Sequence, residues 1–160
     1  MDFRVGFGYD VHQLAEGFPL MMGGIEIPHT KGTVGHSDAD VLIHALCDAL
    51  LGAANLGDIG THFPDTDSAY KGIDSKLLLQ KVVALLDKQG WQLENLDATI
   101  ALQLPKIKPF IPRMKALLAS TMGCQSEQVS IKATTTEKLG FEGRQEGVSA
   151  YAVALISRKG

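Results

Sequence analysis

Asp10-Val11-His12 places a carboxylate and an imidazole two positions apart, the spacing at which side chains leave the same face of an extended strand. His44 follows on a stretch with helical periodicity and could bring a third donor to the same place from across a sheet. An Asp-His-His set offers oxygen and nitrogen donors suited to Zn²⁺ and leaves a fourth position open for Lewis-acid chemistry. An ordinary strand end and a hydrogen-bonded helix histidine account for the same residues, so spacing alone leaves both readings open. His36-Ser37 precede the helix that carries His44. Free N–H groups at a helix start attract phosphate, and the His36 imidazole could donate to an oxyanion; a plain N-cap by Ser37 is the alternative.

Two further segments carry polar groups at loop or strand ends. Gly57-Asp58-Ile59-Gly60 and Phe63-Pro64-Asp65-Thr66-Asp67 bring three carboxylates into one glycine-bearing loop, suited to sugar hydroxyls and equally to ordinary turns. Lys132 to Phe141 runs from a strand into Thr134, Thr135 and Thr136, whose hydroxyls could hold phosphate, and then Glu137, whose carboxylate suits a hard cation such as Mg²⁺. Arg144 could grip phosphate or carboxylate, or pair with Glu146. Nowhere do the residues suggest a Ser/His/Asp type of nucleophile with its base.

The elements that must position these groups are legible from pattern. Phe3–His12 is expected to be a strand, and Leu20–Ile27 a hairpin turning at Gly23-Gly24. A helix capped by Ser37, with Asp40 three residues on, should run to about Ala54 and bury Val41, Leu42, Ala45, Leu46, Ala49, Leu50 and Ala53. Residues 57–67 are expected to be a loop without an element of its own. A second helix, Ser75–Gln89, is capped by Asp74 and stopped by Gly90, with Leu77, Leu78, Val82, Leu85 and Leu86 facing inward. A strand over Leu96–Leu104, a helix opened by Pro109 and Pro112 and ended by Gly123, and a strand over Val129–Thr134 make one strand-helix-strand unit. Gly147–Ser157 is a last long strand. The order predicts an α/β fold of α+β-like character: one domain spanning residues 1–160, a mixed sheet with helices on one face, and an extra hairpin. The other face, and Val148–Leu155 in particular, would be poorly hidden in a monomer.

Composition narrows the function. The 160 residues are 45% apolar and carry 15 Lys+Arg against 18 Asp+Glu, a net charge of −3. No basic field draws nucleic acid or an anionic bilayer, so any phosphate must be held locally. The N-terminal residues show no basic and apolar leader, no stretch is apolar enough to span a membrane, and Cys47 and Cys124 lack the spacing of a disulfide or zinc scaffold. A cytoplasmic location is expected.

Taken in order and register, Gly8-Tyr9-Asp10-Val11-His12, His36-Ser37-Asp38-Ala39-Asp40-Val41, Gly57–Gly60 with Phe63–Asp67, and Lys132–Gly140 closely resemble the 2-C-methyl-D-erythritol 2,4-cyclodiphosphate synthase family, end to end. Tyr9 and Lys108 depart from the pattern common there, and neither belongs to the metal set. The resemblance implies a zinc-like metal on Asp10, His12 and His44, and Mg²⁺ or Mn²⁺ bridging a substrate diphosphate with help from Glu137. It implies His36 and Thr135 as the groups stabilising the transition state. Asp10, His12, His36, Ser37, Asp58, Ile59, Gly60, Phe63, Pro64, Asp65, Thr66 and Asp67 would surround the methylerythritol and its phosphates. Leu102, Gln103, Leu104, Pro105, Lys106, Ile107, Lys108, Thr134, Thr135, Thr136 and Glu137 would form the cytidine and phosphate side. The resemblance also implies Phe141 and Arg144 as substrate-binding residues; family members are homotrimers with active sites between subunits, and a central cavity holds an isoprenoid diphosphate in some, with an arginine at the position of Arg144. The implied reaction closes 4-diphosphocytidyl-2-C-methyl-D-erythritol 2-phosphate on itself and releases CMP. A metal-dependent phosphohydrolase and a non-catalytic isoprenoid-diphosphate sensor are the rival readings.

Overall fold

Alternation of small and large residues organises the first strand, and the rest of the molecule is arranged around it. The computed structural model describes residues 2–160. Along the chain lie β1 (Phe3–Glu16), β2 (Leu20–Met22), β3 (Ile25–Ile27), β4 (Lys31–Val34), α1 (Val41–Ala53) and the one-turn α2 (Ile59–His62). They are followed by α3 (Ser75–Lys88), β5 (Trp91–Ala101), α4 (Ile111–Met122), β6 (Val129–Thr134), the one-turn α5 (Gly140–Gly143) and β7 (Gly147–Arg158). Five strands form one mixed sheet in the order β4-β1-β7-β5-β6, and β2 and β3 form the separate hairpin. β1 pairs antiparallel with β4 and β7, β7 antiparallel with β5, and β5 parallel with β6 across the α4 crossover. β1, β5 and β6 therefore all end at the same edge of the sheet.

The inner face of β1 and β7 is built from the smallest side chains so that α1 can lie close on it. A Cβ added to Gly6 or Gly8 would fall 1.9 Å from the carbonyl oxygen of Ala49 or Ala45 respectively. Ala150, Ala152 and Ala154 of β7 are buried beside them. The helix is covered nearly all round, Ile43, Cys47 and Leu51 included, and so is more deeply buried than a single apolar stripe requires. That burial matters for function, because the few polar residues on α1 are held in fixed surroundings.

The opposite face of the same two strands is bare. Val5 is 67% and Phe7 63% exposed, and Phe3, Tyr9, Val11, Tyr151 and Val153 are exposed with them. Phe7 lies opposite Val153 and Tyr9 opposite Tyr151, with the two tyrosine rings 5.2 Å apart, so these residues form one continuous apolar surface. The expected uncovered face is present, but β1 contributes most of it. The alanines of Val148–Leu155, expected to be poorly hidden, are in fact under α1 because the register turns them inward.

Other expectations need correction. β1 runs on to Glu16 because β4, a short strand unmarked by pattern, pairs with its last residues. The strand expected over Leu96–Leu104 starts earlier, at Trp91, and stops at Ala101, since Leu102–Leu104 leave the sheet before Pro105. Leu77 lies on the outer side of α3 and is exposed, while Leu78, Val82 and Leu86 pack inward. Residues 57–67 contain the short helix α2 where a bare loop was expected. α1 starts at Val41, not after Ser37, because the buried Asp40 carboxylate is its cap, accepting from Ile43 N–H at 3.1 Å. The same carboxylate accepts from Gly23 N–H at 3.0 Å and Gly24 N–H at 2.7 Å, tying the hairpin turn to the helix. Both glycines have positive φ, which the tight turn requires. Complete burial raises the Asp40 carboxyl above its ordinary range, against the backbone hydrogen bonds it accepts.

Candidate metal centre

Asp10 and His12 leave the inner face of β1 just beyond Gly8, where the sheet edge opens, and His44 meets them from the first turn of α1. Asp10 Oδ2 lies 3.0 Å from His12 Nε2 and 3.1 Å from His44 Nδ1, and the two nitrogens are 3.1 Å apart. This nearly equilateral triangle is the one group of potential metal ligands among the described residues. Tetrahedral zinc bonds of about 2.0–2.1 Å would set neighbouring ligand atoms roughly 3.3 Å apart, so the triangle matches one face of such a site with little adjustment. His12 Nδ1 donates to the Val34 carbonyl at 2.9 Å, which leaves its Nε2 lone pair directed at the triangle. Three electron-rich atoms this close need a proton or a cation between them. His12 is pulled two ways. Burial opposes its charge, but Asp10 outweighs burial and raises the imidazole above its ordinary value. Burial likewise opposes the Asp10 carboxylate, yet the two imidazoles beside it hold it at about 2.

The triangle opens into a cavity of about 420 Å³ lined by His12, His36, Ser37, His44, Ile59, Gly60, Phe63, Pro64, Asp65, Thr66, Tyr70, Ile73 and Leu78. Most of the expected loop residues are therefore brought to the metal corner. Asp58 and Asp67 are not part of the lining. Asp58 caps α2, accepting from Thr61 N–H at 2.8 Å and Thr61 Oγ1 at 2.7 Å, and Asp67 caps the following turn through Ala69 N–H at 2.9 Å. The Thr61 hydroxyl and N–H also lower the Asp58 carboxyl. The anion site expected at the helix start is taken by the protein's own Asp40, so His36 and Ser37 face the cavity from the preceding turn. Pattern gave no hint of Asp48, whose carboxylate accepts from Ile59 N–H at 2.7 Å and pins the cavity loop to α1. Tyr70 was also missed; it packs edge-on against Phe63, with Lys81 above both rings.

Leu102, Gln103, Leu104, Pro105, Lys106, Ile107 and Lys108, with Ala133, Thr134 and Thr135, line a second cavity of about 280 Å³ at the ends of β5 and β6. Its hydroxyls are only locally engaged: Thr134 Oγ1 donates to the Thr135 carbonyl and Thr136 Oγ1 to the Leu139 carbonyl. Lys138 N–H reaches Gln103 Oε1 at 3.2 Å, joining the two segments, and Glu137 is exposed beside them and apart from the metal triangle. Arg144 pairs with Glu146 at 2.7 Å, and Phe141 lines a shallow hollow with Val11, Gln13 and Glu146.

Among known proteins, the chain matches the model of the YgbB family over residues 3–157. It is 62% identical over 154 residues to 2-C-methyl-D-erythritol 2,4-cyclodiphosphate synthase of Porphyromonas gingivalis, covering 96% of this chain and 95% of that one. The synthase of Parabacteroides distasonis is 62% identical over 160 residues, 100% of this chain and 99% of its own. Among solved structures, the bifunctional IspDF of Campylobacter jejuni superposes with a TM-score of 0.95 at 41% identity over 98% of this chain, which spans 42% of that longer protein. A CDP complex of IspF from Plasmodium falciparum gives 0.87 at 30% identity, over 99% of this chain and 97% of that one.

Proposed function

The chain belongs to the YgbB family, and from that premise we propose that it converts 4-diphosphocytidyl-2-C-methyl-D-erythritol 2-phosphate into 2-C-methyl-D-erythritol 2,4-cyclodiphosphate and CMP, a step of non-mevalonate isoprenoid synthesis. The observation that carries the proposal is the Asp10–His12–His44 triangle opening directly into a loop-walled cavity, in a chain so similar along its length to synthases of that name. An oxygen of the 2-phosphate attacks the β-phosphorus, the bond from that phosphorus to the bridging oxygen breaks, and CMP departs with the bridging oxygen. The nucleophile belongs to the substrate, so the reaction needs none from the protein.

Zn²⁺ on Asp10, His12 and His44, and Mg²⁺ or Mn²⁺ held in part by Glu137, would supply Lewis-acid polarisation and neutralise the charge of two phosphate groups brought together. The chain's own groups do the positioning. His36 and Ser37 present donors to phosphate oxygen, and Ile59–Thr66 wall the methylerythritol and exclude water. Asp58 accepts from its hydroxyls once it yields the Thr61 bond. Leu102–Lys108 offer backbone groups to the cytosine edge, and Thr135 stabilises charge at the transferring phosphorus.

The two halves of this site come from different copies of the chain. Within one protomer β7 and β5 intervene between β1 and β6, a separation of about 14 Å at the usual strand spacing. Asp10 and His12 also face α1, whereas the Thr134 side chain leaves the other face of the sheet. One β-phosphate cannot touch both within a protomer. A homotrimer joined through the apolar outer face of β1 and β7 unites them. Among the described residues no helix is long and apolar enough to cross a membrane, and a reducing cytoplasm suits two unpaired cysteines.

Phosphorus NMR of the full-length protein with this substrate, Zn²⁺ and Mg²⁺ tests the proposal. A cyclic diphosphate with stoichiometric CMP is the expected outcome. Inorganic phosphate would instead make the chain a phosphohydrolase, and binding without turnover would make it a sensor.

A further inference from the structure

His44 is the one ligand of the triangle whose far nitrogen is not fixed by a backbone carbonyl. Its Nε2 lies 2.9 Å from Ser75 Oγ and 3.1 Å from Ser37 Oγ. Ser75 is the first residue of α3, completely buried, and its hydroxyl is 2.5 Å from Asp38 Oδ1. Asp38 is fixed in turn: its Oδ2 accepts from Ser75 N–H at 3.0 Å and its Oδ1 from Asp40 N–H at 3.2 Å.

The direction of each bond follows from what each group is able to do. The Asp38 carboxylate only accepts, so Ser75 spends its single proton on it. Ser75 then shows His44 nothing but lone pairs, and His44 must carry its proton on Nε2. Its Nδ1 lone pair is thereby committed to the triangle. Ser37 does not have this effect alone, because its hydroxyl proton is not spent on an acceptor; it accepts from Ala39 N–H at 3.1 Å, and it lines the cavity where a ligand competes for it.

We propose that Asp38 and Ser75 are positioning residues of the metal centre: a carboxylate-hydroxyl relay that selects the metal-binding tautomer of His44 and holds its ring. The relay rests on Asp10, His12 and His44 being a metal centre. It also joins the centre to the cavity wall, because the segments bearing Asp38 and Ser75 are laced together by Gly72 N–H to the His36 carbonyl at 2.7 Å and Asp38 N–H to the Ile73 carbonyl at 3.0 Å. His36, Ser37 and Ile73, all cavity-lining, are set by the same lacing.

The test uses Zn²⁺ alone, titrated against a chromophoric chelator into the full-length chain stripped of metal, together with ¹⁵N NMR of the His44 ring in the metal-free protein. The wild-type ring is expected in the Nε2–H form. Ser75→Ala should raise the Zn²⁺ dissociation constant about 10–100-fold and let the ring sample both tautomers, and Ser75→Thr, which keeps the hydroxyl, should restore most of the affinity. Unchanged Zn²⁺ affinity in Ser75→Ala, or an Nδ1–H ring in the wild type, overturns the relay while the metal centre stands. A wild-type protein that does not bind Zn²⁺ overturns the centre itself. If Ser75→Ala fails to fold, Asp38→Asn takes its place: the amide can donate to Ser75 and reverse the relay, so retained affinity with a single Nε2–H ring counts against it.

Discussion

The metal corner and the nucleotide corner lie at one edge of one sheet, yet they are built in opposite ways. Around Asp10, His12 and His44, each ligand atom is within 3.1 Å of its neighbours, and contacts from β4, α1 and α3 orient the rings. Around Thr134–Glu137 the side chains, exposed except for the half-buried Thr136, bond only to their own loop, and Glu137 stands in a left-handed turn facing solvent. Tight packing under α1 permits the first arrangement, since groups held on both sides arrive preorganised for charge chemistry. The second corner is at the thin end of the sheet, beside the edge strand β6, and in the proposed assembly a substrate and a second copy of the chain would complete its surroundings. A single protomer thus carries a complete half and an open half.

Removing His44 breaks the complete half and has the largest expected effect. His44→Ala deletes one corner of the triangle and leaves Asp10 and His12 without the atom that closes it. Loss of bound zinc and at least about 1,000-fold in turnover should follow, equivalent to roughly 4 kcal/mol of transition-state stabilisation. CMP affinity should be unchanged, because the nucleotide corner owes nothing to α1. Metal analysis, steady-state kinetics and CMP titration read the three quantities, and thermal melting should show a folded protein. If the variant does not fold, the metal is structural and the difference between the corners disappears.

Phe7→Asp tests how the halves are joined. Phe7 stands 63% exposed at the middle of the bare face of β1, so a protomer tolerates the carboxylate. Three protomers meeting through that face do not, since an unpaired buried charge costs about 3–5 kcal/mol. The variant should sediment as a smaller species, keep its zinc, and lose about 100-fold in turnover at assay concentrations. Full activity in a dissociated protein would mean that each protomer unites both corners by itself.

Sequence pattern was most informative where a local rule decides the outcome. Asp10 and His12 share a face because strand side chains alternate, and α3 is bounded by the Asp74 cap and Gly90 as expected. β6 has the expected limits. Pattern failed where distant contacts chose among local options. Ser37, Asp38 and Asp40 are all able to cap a helix, and Asp40 prevails because the Gly23-Gly24 turn, well back in the chain, needs its carboxylate. Ser75 at the first position of a helix is chemically unremarkable until His44 and Asp38 converge on it from α1 and the turn before it. β4, four residues including a glycine, exists through pairing with β1 and carries the carbonyl that orients His12.

The smallest effect expected concerns Asp58, which belongs to the metal half by position but resembles the open half in its bonding. Its carboxylate is exposed and already accepts two hydrogen bonds from Thr61, so a substrate hydroxyl must replace the Thr61 hydroxyl rather than fill an empty acceptor. Exchange of one hydrogen bond for another yields only the excess of the new over the old. Asp58→Asn keeps a side chain of the same shape that can still cap α2, and should reduce kcat/KM only about tenfold. CMP affinity and zinc content should remain at wild-type levels, because the cavity proposed for the base lies across the sheet and the α2 loop is anchored separately by Asp48. A parallel loss of CMP affinity would place Asp58 against the nucleotide, so that the sugar loop and the base pocket would form one continuous surface and the division into two corners would have to be redrawn.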